Sequence, residues 1–134
     1  MSKLSTIEGI GPALSEQLEG AGINSVAALL EQGGTKDGRA RIADASGLSV
    51  ERVLKFVNCA DLMRIKGVGG EYSELLEASG VDSCSELKMR KPENLTAKME
   101  EVNAKKKLVR QVPSLKMVQG WVDQAKSLPK VVTH

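Results

Sequence analysis

The same glycine-rich stretch occurs twice in this chain, and this repetition constrains the fold more than any other feature. IEGIGPALSEQLEGAGI begins at Ile7, and IKGVGGEYSELLEASGV begins at Ile65, 58 residues later. The two stretches keep three glycines and most of their apolar residues in step. Glycine is favoured where a backbone must adopt conformations that side chains oppose. The chain is therefore predicted to reverse direction twice in the same way.

A second match extends the repeat towards the C-terminus. SVERVLKFVNCA at 49–60 aligns with SLKMVQGWVDQA at 114–125, which pairs Phe56 with Trp121. The offset is now 65, so the second copy has gained 7 residues, which we place around AKKKLVRQ. The paired aromatic residues occupy helical spacing and are predicted to lie in the core.

Composition and capping signals predict helices in each half. Apolar residues make up 41% of the 134 residues but aromatic residues only 2%, a balance that favours helices over sheets. Ser83 is predicted to cap a helix. QGGTKDG at 32–38 is predicted to be a loop because it is dense in glycine. The predicted fold class is all-α, with two pseudo-symmetric units, 1–60 and 61–134, packed as one compact domain.

The glycine turns are the candidate functional site. Positive φ without a Cβ penalty is predicted for four glycines: Gly9, Gly11, Gly67 and Gly69. Between each pair an apolar residue, Ile10 or Val68, is predicted to enter the core. The amides of the turn and of the first residues of the next helix would then point outwards. Such amides form an electropositive nest that suits a phosphate oxygen.

These two turns resemble helix-hairpin-helix motifs, which occur in DNA ligases, repair polymerases and Holliday-junction binding proteins. Over nearly its whole length the chain resembles an uncharacterised family of small bacterial and archaeal proteins built from paired helix-hairpin-helix units. The resemblance implies that each turn binds the DNA sugar-phosphate backbone without reading bases, sometimes with a bound monovalent cation. It also implies that the two turns each grip one strand across a minor groove. The implied contacts are Gly9, Ile10, Gly11, Gly67, Val68 and Gly69.

Positive charge is concentrated after the second turn. The net charge is +2, but residues 88–110 hold 8 basic and 3 acidic side chains. The basic residues expected to assist binding are Arg64, Lys66, Lys105, Lys106, Lys107 and Arg110. The helices that follow the turns instead carry acids such as Glu16 and Glu74, which oppose phosphate binding. Two interpretations stay open: phosphate contact, or purely structural turns beside a solvated basic helix face.

Several function classes are not expected. His134 is the only histidine, no cysteine pair has metal-ligand spacing, and no GxxxxGK[ST] phosphate loop occurs. We therefore expect no enzyme, no metal site and no small-molecule substrate. No apolar run approaches the ~18 residues that span a bilayer, and the N-terminus lacks the apolar centre of a secretory signal. We expect a cytoplasmic nucleic-acid-binding module, or alternatively a protein-interaction scaffold that keeps the fold without binding DNA.

Overall fold

The computed structural model describes residues 3–134, and its regular structure is helical throughout. The all-α prediction is confirmed, because no strand occurs within these residues. A 3-10 helix at Leu4–Thr6 comes first. The α-helices that follow are α1 (Pro12–Gly20), α2 (Val26–Gly33), α3 (Lys36–Ser46), α4 (Val50–Leu62), α5 (Gly70–Ala78), α6 (Cys84–Leu87), α7 (Pro92–Lys106) and α8 (Leu115–Lys126).

The chain divides into two compact units. The first unit comprises Met1–Asp61 together with Val131–His134, and the second comprises Leu62–Lys130. The division falls inside α4, one residue before that helix ends. The last four residues, which the sequence division 61–134 places with the second half, belong to the first unit.

The first unit has an apolar core in which α3 packs against both α1 and α2. Its fully buried side chains include Ile7, Leu18, Ile23 and Leu29. Phe56 of α4 is only 3% exposed, so its predicted core position is confirmed. Burying a side chain of this size contributes roughly 2–3 kcal/mol each to stability.

The second unit has its own core. In it α8 packs against α6 and α7, and α5 packs against α7. The core contains Leu75, Leu76, Leu87, Leu95 and Met99, all fully buried. Trp121 of α8 is 3% exposed, which confirms its predicted core position.

Serine caps fix the starts of four helices, α2, α4, α6 and α8. The Oγ atom of Ser83 accepts a hydrogen bond from the Glu86 amide at 3.2 Å, which confirms the predicted cap of α6. Ser25 caps α2 in the same way, and Ser114 caps α8. A cap of this kind contributes about 1 kcal/mol to helix stability.

The predicted loop at 32–38 is wrong. Helix α2 continues to Gly33 and α3 begins at Lys36, with the Thr35 hydroxyl accepting a hydrogen bond from the Gly38 amide at 3.1 Å. A side chain at Gly38 would overlap the carbonyl oxygen of Gln32. Glycine is present here because two backbone segments approach closely, so its density did not indicate an irregular loop.

The C-terminal residues are held by a buried arginine of α3. Arg39 is 2% exposed, and its guanidinium donates to the carbonyl oxygens of Gly33 at 2.9 Å and Thr133 at 2.6 Å. The Thr133 amide donates to the Gly34 carbonyl at 2.8 Å. Burial lowers the pKa of Arg39 by desolvation, but arginine stays protonated at neutral pH. These bonds join the chain end to the first unit.

Candidate anion-binding turns

Both glycine turns have the same backbone conformation. Gly9 has φ +92° and Gly67 has φ +95°, as predicted. The second glycine of each pair lacks this positive φ: Gly11 has φ −92° and Gly69 has φ −100°, both extended. The prediction of positive φ at Gly11 and Gly69 is therefore wrong. Each of them is an N-cap residue, and N-caps adopt the β region so that the following helix can start.

The residue between the glycines is anchored in the core. Ile10 is 4% exposed and Val68 is 5% exposed, as predicted. The Ile10 amide donates to the Ile7 carbonyl, and the Val68 amide donates to the Ile65 carbonyl, each at 3.1 Å. The amides of these two central residues are therefore used within the turn. Ile10 and Val68 support the turns and cannot offer their own amides to a ligand.

The amides that remain available begin at the N-cap. Between residues 3 and 134, no backbone partner is found for the amides of Gly69, Gly70, Glu71 and Tyr72, since the first helical bond of α5 is Ser73 to Gly69. At the first turn the corresponding series is shorter, because Pro12 has no N–H. Uncompensated amides at a helix start attract anions. The second turn therefore presents one more donor than the first.

An open groove of about 430 Å³ lies beside the second turn. It is lined by Gly67, Gly69, Gly70, Glu71, Tyr72, Val109, Arg110 and Gln111. The start of α5 forms one side, and the segment 108–113, between α7 and α8, forms the other. The residues that carry the available amides thus line a concave surface that also includes an arginine.

The segment 108–113 accounts for most of the insertion predicted from the sequence. One residue separates Gly47 from the cap Ser49 in the first unit, and six separate Lys107 from the cap Ser114 in the second, a difference of five. The insertion therefore changes the surroundings of a turn without changing the turn itself.

The inserted segment is held in place by side chains of the second unit. The Asn103 side chain accepts from the Val109 amide at 2.9 Å and donates to the Val109 carbonyl at 3.1 Å. The Tyr72 hydroxyl donates to the Gln111 carbonyl at 3.1 Å. Because Val109 and Gln111 are both fixed, the backbone of Arg110 between them is fixed as well, and Arg110 lines the groove.

The two basic residues next to the second turn have different environments. The Arg64 guanidinium donates to the Pro129 carbonyl at 2.9 Å, so part of its donor capacity is used. Lys66 has an exposed side chain. Its backbone is held by the Gln124 side-chain amide, which accepts from the Lys66 amide at 2.9 Å and donates to its carbonyl at 3.2 Å. The exposed side chain of Lys66 is therefore attached to a backbone that is held in place.

The predicted lysine cluster lies at the end of α7. Lys105, Lys106 and Lys107 are exposed, and Lys107 ends the helix with φ +52°. Lys105 lies 3.9 Å from Glu101, a surface pair of little energetic weight. None of the three lysines lines the groove, whereas Arg110 does. Of the four basic residues expected in this region, only Arg110 is brought to the second turn.

Sequence reasoning did not identify the residues that build the groove wall. Asn103 and Gln111 carry no motif, and Tyr72 reads as an apolar helix residue because it aligns with Leu14. The length difference between the two copies was the available signal. An insertion beside one copy of a repeated turn is a reason to expect that copy to differ in function.

The described part of the chain has neither a metal-binding cluster nor a membrane-spanning helix. Residues 3–134 contain no group of three or more His, Cys, Asp or Glu side chains that could hold a metal ion. Over the same residues, no helix combines the length and apolar character needed to cross a bilayer.

The molecule is thus an all-α protein with two similar glycine turns, and a groove borders the second turn. Its sequence matches the family model described as domain of unknown function DUF4332 over residues 8–128. The chain belongs to this family. No match was found among curated proteins or among solved structures.

Proposed function

We propose that this protein is a non-catalytic module that binds the phosphate backbone of nucleic acids without reading base sequence, in the cytoplasm. The two glycine turns act as helix-hairpin-helix motifs in this proposal. The groove beside the second turn is the main support, because the residues that line it include Arg110 and the residues that carry the uncompensated amides at the start of α5. Helix N-termini and arginine side chains are the groups that proteins use to contact phosphate.

The charges near the second turn also support this function. Lys66 occupies the position that Glu8 occupies at the first turn. Lys66 and Arg110 would each neutralise a phosphate and release its counterions, which is the main source of sequence-independent affinity. With two such contacts, the logarithm of the binding constant should fall with the logarithm of salt concentration with a slope of about −1.8.

Fluorescence anisotropy with a labelled duplex tests this proposal. We expect binding at ~50 mM salt that weakens about tenfold at ~200 mM salt, given two phosphate contacts. A duplex of scrambled sequence should bind equally well, since no base is read. Binding that is independent of salt, or no binding at tens of micromolar protein at the lower salt, would remove the proposal. Replacing K⁺ with tetramethylammonium at constant ionic strength tests the monovalent cation that the resemblance implies at a turn.

A second candidate function is a protein-interaction scaffold that keeps the fold without binding DNA. The acidic surface of α1 favours it, since Glu16 and Glu19 are exposed and no basic residue occurs between Lys3 and Lys36. The exposed Met89, at 75%, adds an apolar contact point on the second unit. A pull-down from the native host with the full chain, compared with Met89→Ser, would test this function if DNA binding fails.

A further inference from the structure

The single tryptophan of this protein has an unusual environment. Trp121 is 3% exposed, yet no hydrogen bond joins its indole Nε1 to any of residues 3–134. Each described side-chain nitrogen or oxygen that is sealed from solvent does have a partner, so the Trp121 N–H opens to solvent. Buried indole N–H groups normally have an acceptor. This donor is therefore available to a ligand.

The available N–H lies at the second glycine turn. A methyl group added at Gly67 would lie 3.2 Å from Trp121 Nε1, and no other residue outside 66–68 would have an atom within 4 Å of it. The indole Nε1 thus lies next to Gly67, which lines the groove, while Trp121 itself is not one of the lining residues. The ring is also supported by Tyr72, whose centroid is 5.3 Å away. A glycine at this position leaves the N–H uncovered, whereas a side chain would block it.

The first turn has no such donor. Phe56 occupies the matching position, and its Cε1 atom would lie 3.6 Å from a methyl group at Gly9. A hydrocarbon ring edge cannot donate a hydrogen bond to an anion. The two turns are therefore alike in backbone and differ in the aromatic group that supports them.

From this geometry we propose that the second turn, and not the first, holds one phosphate group, and that the Trp121 indole N–H is a direct ligand donor. The amides of Gly69 and Gly70 and the guanidinium of Arg110 complete the site. This inference rests on the proposed function for its ligand class, but it assigns the contact to one turn. The proposed ligand is a single phosphate group, as in a phosphodiester or a free phosphate ion.

The indole N–H gives a direct measurement, because the chain has one tryptophan. ¹⁵N-labelled full-length protein is titrated with inorganic phosphate, and separately with dithymidine monophosphate, at constant ionic strength set with chloride. We expect the Trp121 indole resonance and the amide resonances of Gly69 and Gly70 to shift with one shared dissociation constant. If only inorganic phosphate produces the shift, the source is a free ion, and if the dinucleotide also does, the source is a phosphodiester. Unmoved indole and glycine resonances up to about 50 mM of either probe would overturn the inference.

Trp121→Phe tests the role of the N–H with little change of shape, because phenylalanine occupies the matching position in the first unit. Its phosphate affinity should fall about tenfold, the effect of losing one hydrogen bond to a charged group. Unchanged affinity in a variant with a native thermal melt would contradict the role of Trp121. Phe56→Trp adds an indole reporter at the first turn, and its resonance should not move with phosphate. Equal shifts at both indoles would show that the site is not confined to the second turn.

The same protein is tested in the salt-dependent duplex titration, which separates the two proposals. Duplex binding with the indole unmoved would overturn this inference and leave the proposed function standing. An indole that responds to phosphate in a protein that does not bind duplex would support the phosphate site and remove the nucleic-acid function.

Discussion

The two glycine turns share a backbone conformation but differ in several of the side chains around it. Gly9 and Gly67 have φ values 3° apart, +92° and +95°. Around the second turn, Trp121 replaces Phe56, and an inserted segment brings Arg110 to the helix start. The first turn has no basic residue nearby in sequence after Lys3. A turn motif therefore predicts backbone shape, whereas its ligand depends on the side chains that surround it.

The helix starts differ as well. Pro12 begins α1 and Gly70 begins α5. Proline is well suited to the first helical position but has no N–H. Glycine costs conformational entropy and supplies a donor. The first turn is thus the better helix start, and the second is the better anion site.

The largest expected effect concerns the backbone that the two turns share. Gly67→Ser should lower the free energy of unfolding by about 1–2 kcal/mol, because positive φ is unfavourable for residues with a Cβ. Gly69→Ser should change it by only a few tenths of a kcal/mol, since Gly69 is extended, has open space and occupies an N-cap. Urea unfolding measures both. Equal losses in the two variants would contradict a positive φ at Gly67 alone.

The next largest effect tests whether the inserted segment distinguishes the turns. Arg110→Glu should weaken duplex binding at least tenfold at ~50 mM salt, because it replaces a phosphate contact with a repulsive charge. Lys98→Glu makes a similar charge change on the exposed surface of α7 and should have a small effect. Anisotropy titrations of the two variants provide the comparison. If both weaken binding equally, only net charge matters and the groove has no special role.

A smaller effect is expected at Lys66, whose charge is opposite to that of Glu8 at the matching position of the first turn. Lys66→Glu should weaken duplex binding three- to fivefold, and its salt slope should fall by about 0.9, the contribution of one phosphate contact. Glu8→Lys makes the opposite change at the first turn. It should improve affinity by less than twofold if the second turn alone holds phosphate. A gain at Glu8 as large as the loss at Lys66 would indicate that both turns contact the backbone.

The smallest effect concerns an acid at the groove. Glu71 lines the groove within the first turn of α5, and its charge opposes an anion there. Glu71→Gln should strengthen binding two- to threefold, with the gain vanishing at high salt through screening. Glu93→Gln makes the same change in the first turn of α7 and is the control. Weaker binding by Glu71→Gln would mean that this carboxylate supports the site.

Much of the fold could be predicted because local rules governed it. The repeated glycines, the serine cap at Ser83 and the apolar residues Ile10 and Val68 each act through neighbours in the chain. The start of α3 could not be predicted from glycine density, because Gly38 meets Gln32 at a close backbone approach. The predicted positive φ of Gly11 and Gly69 was also wrong. Each of them is the N-cap of the helix that follows, and an N-cap residue is extended.

The candidate site was predicted in part. The sequence indicated both turns and a basic cluster. It did not show which member of the cluster lies at a turn: Lys105, Lys106, Lys107 or Arg110. Only Arg110 reaches the groove, because hydrogen bonds to Val109 and Gln111 fix the backbone on either side of it. Trp121 was predicted as core and is core, but the direction of its N–H depends on the packing of α8 against its neighbours.

By itself the sequence determined that this protein is helical and that it turns twice at glycine, because helix propensity, capping and positive φ act over a few residues. Tertiary structure decided which basic residue lies at the groove beside the second turn and which turn the indole Nε1 lies next to. Those features depend on contacts between residues up to 58 positions apart, such as Lys66 and Gln124, which no local pattern specifies. The same turn therefore has two different surroundings within one chain.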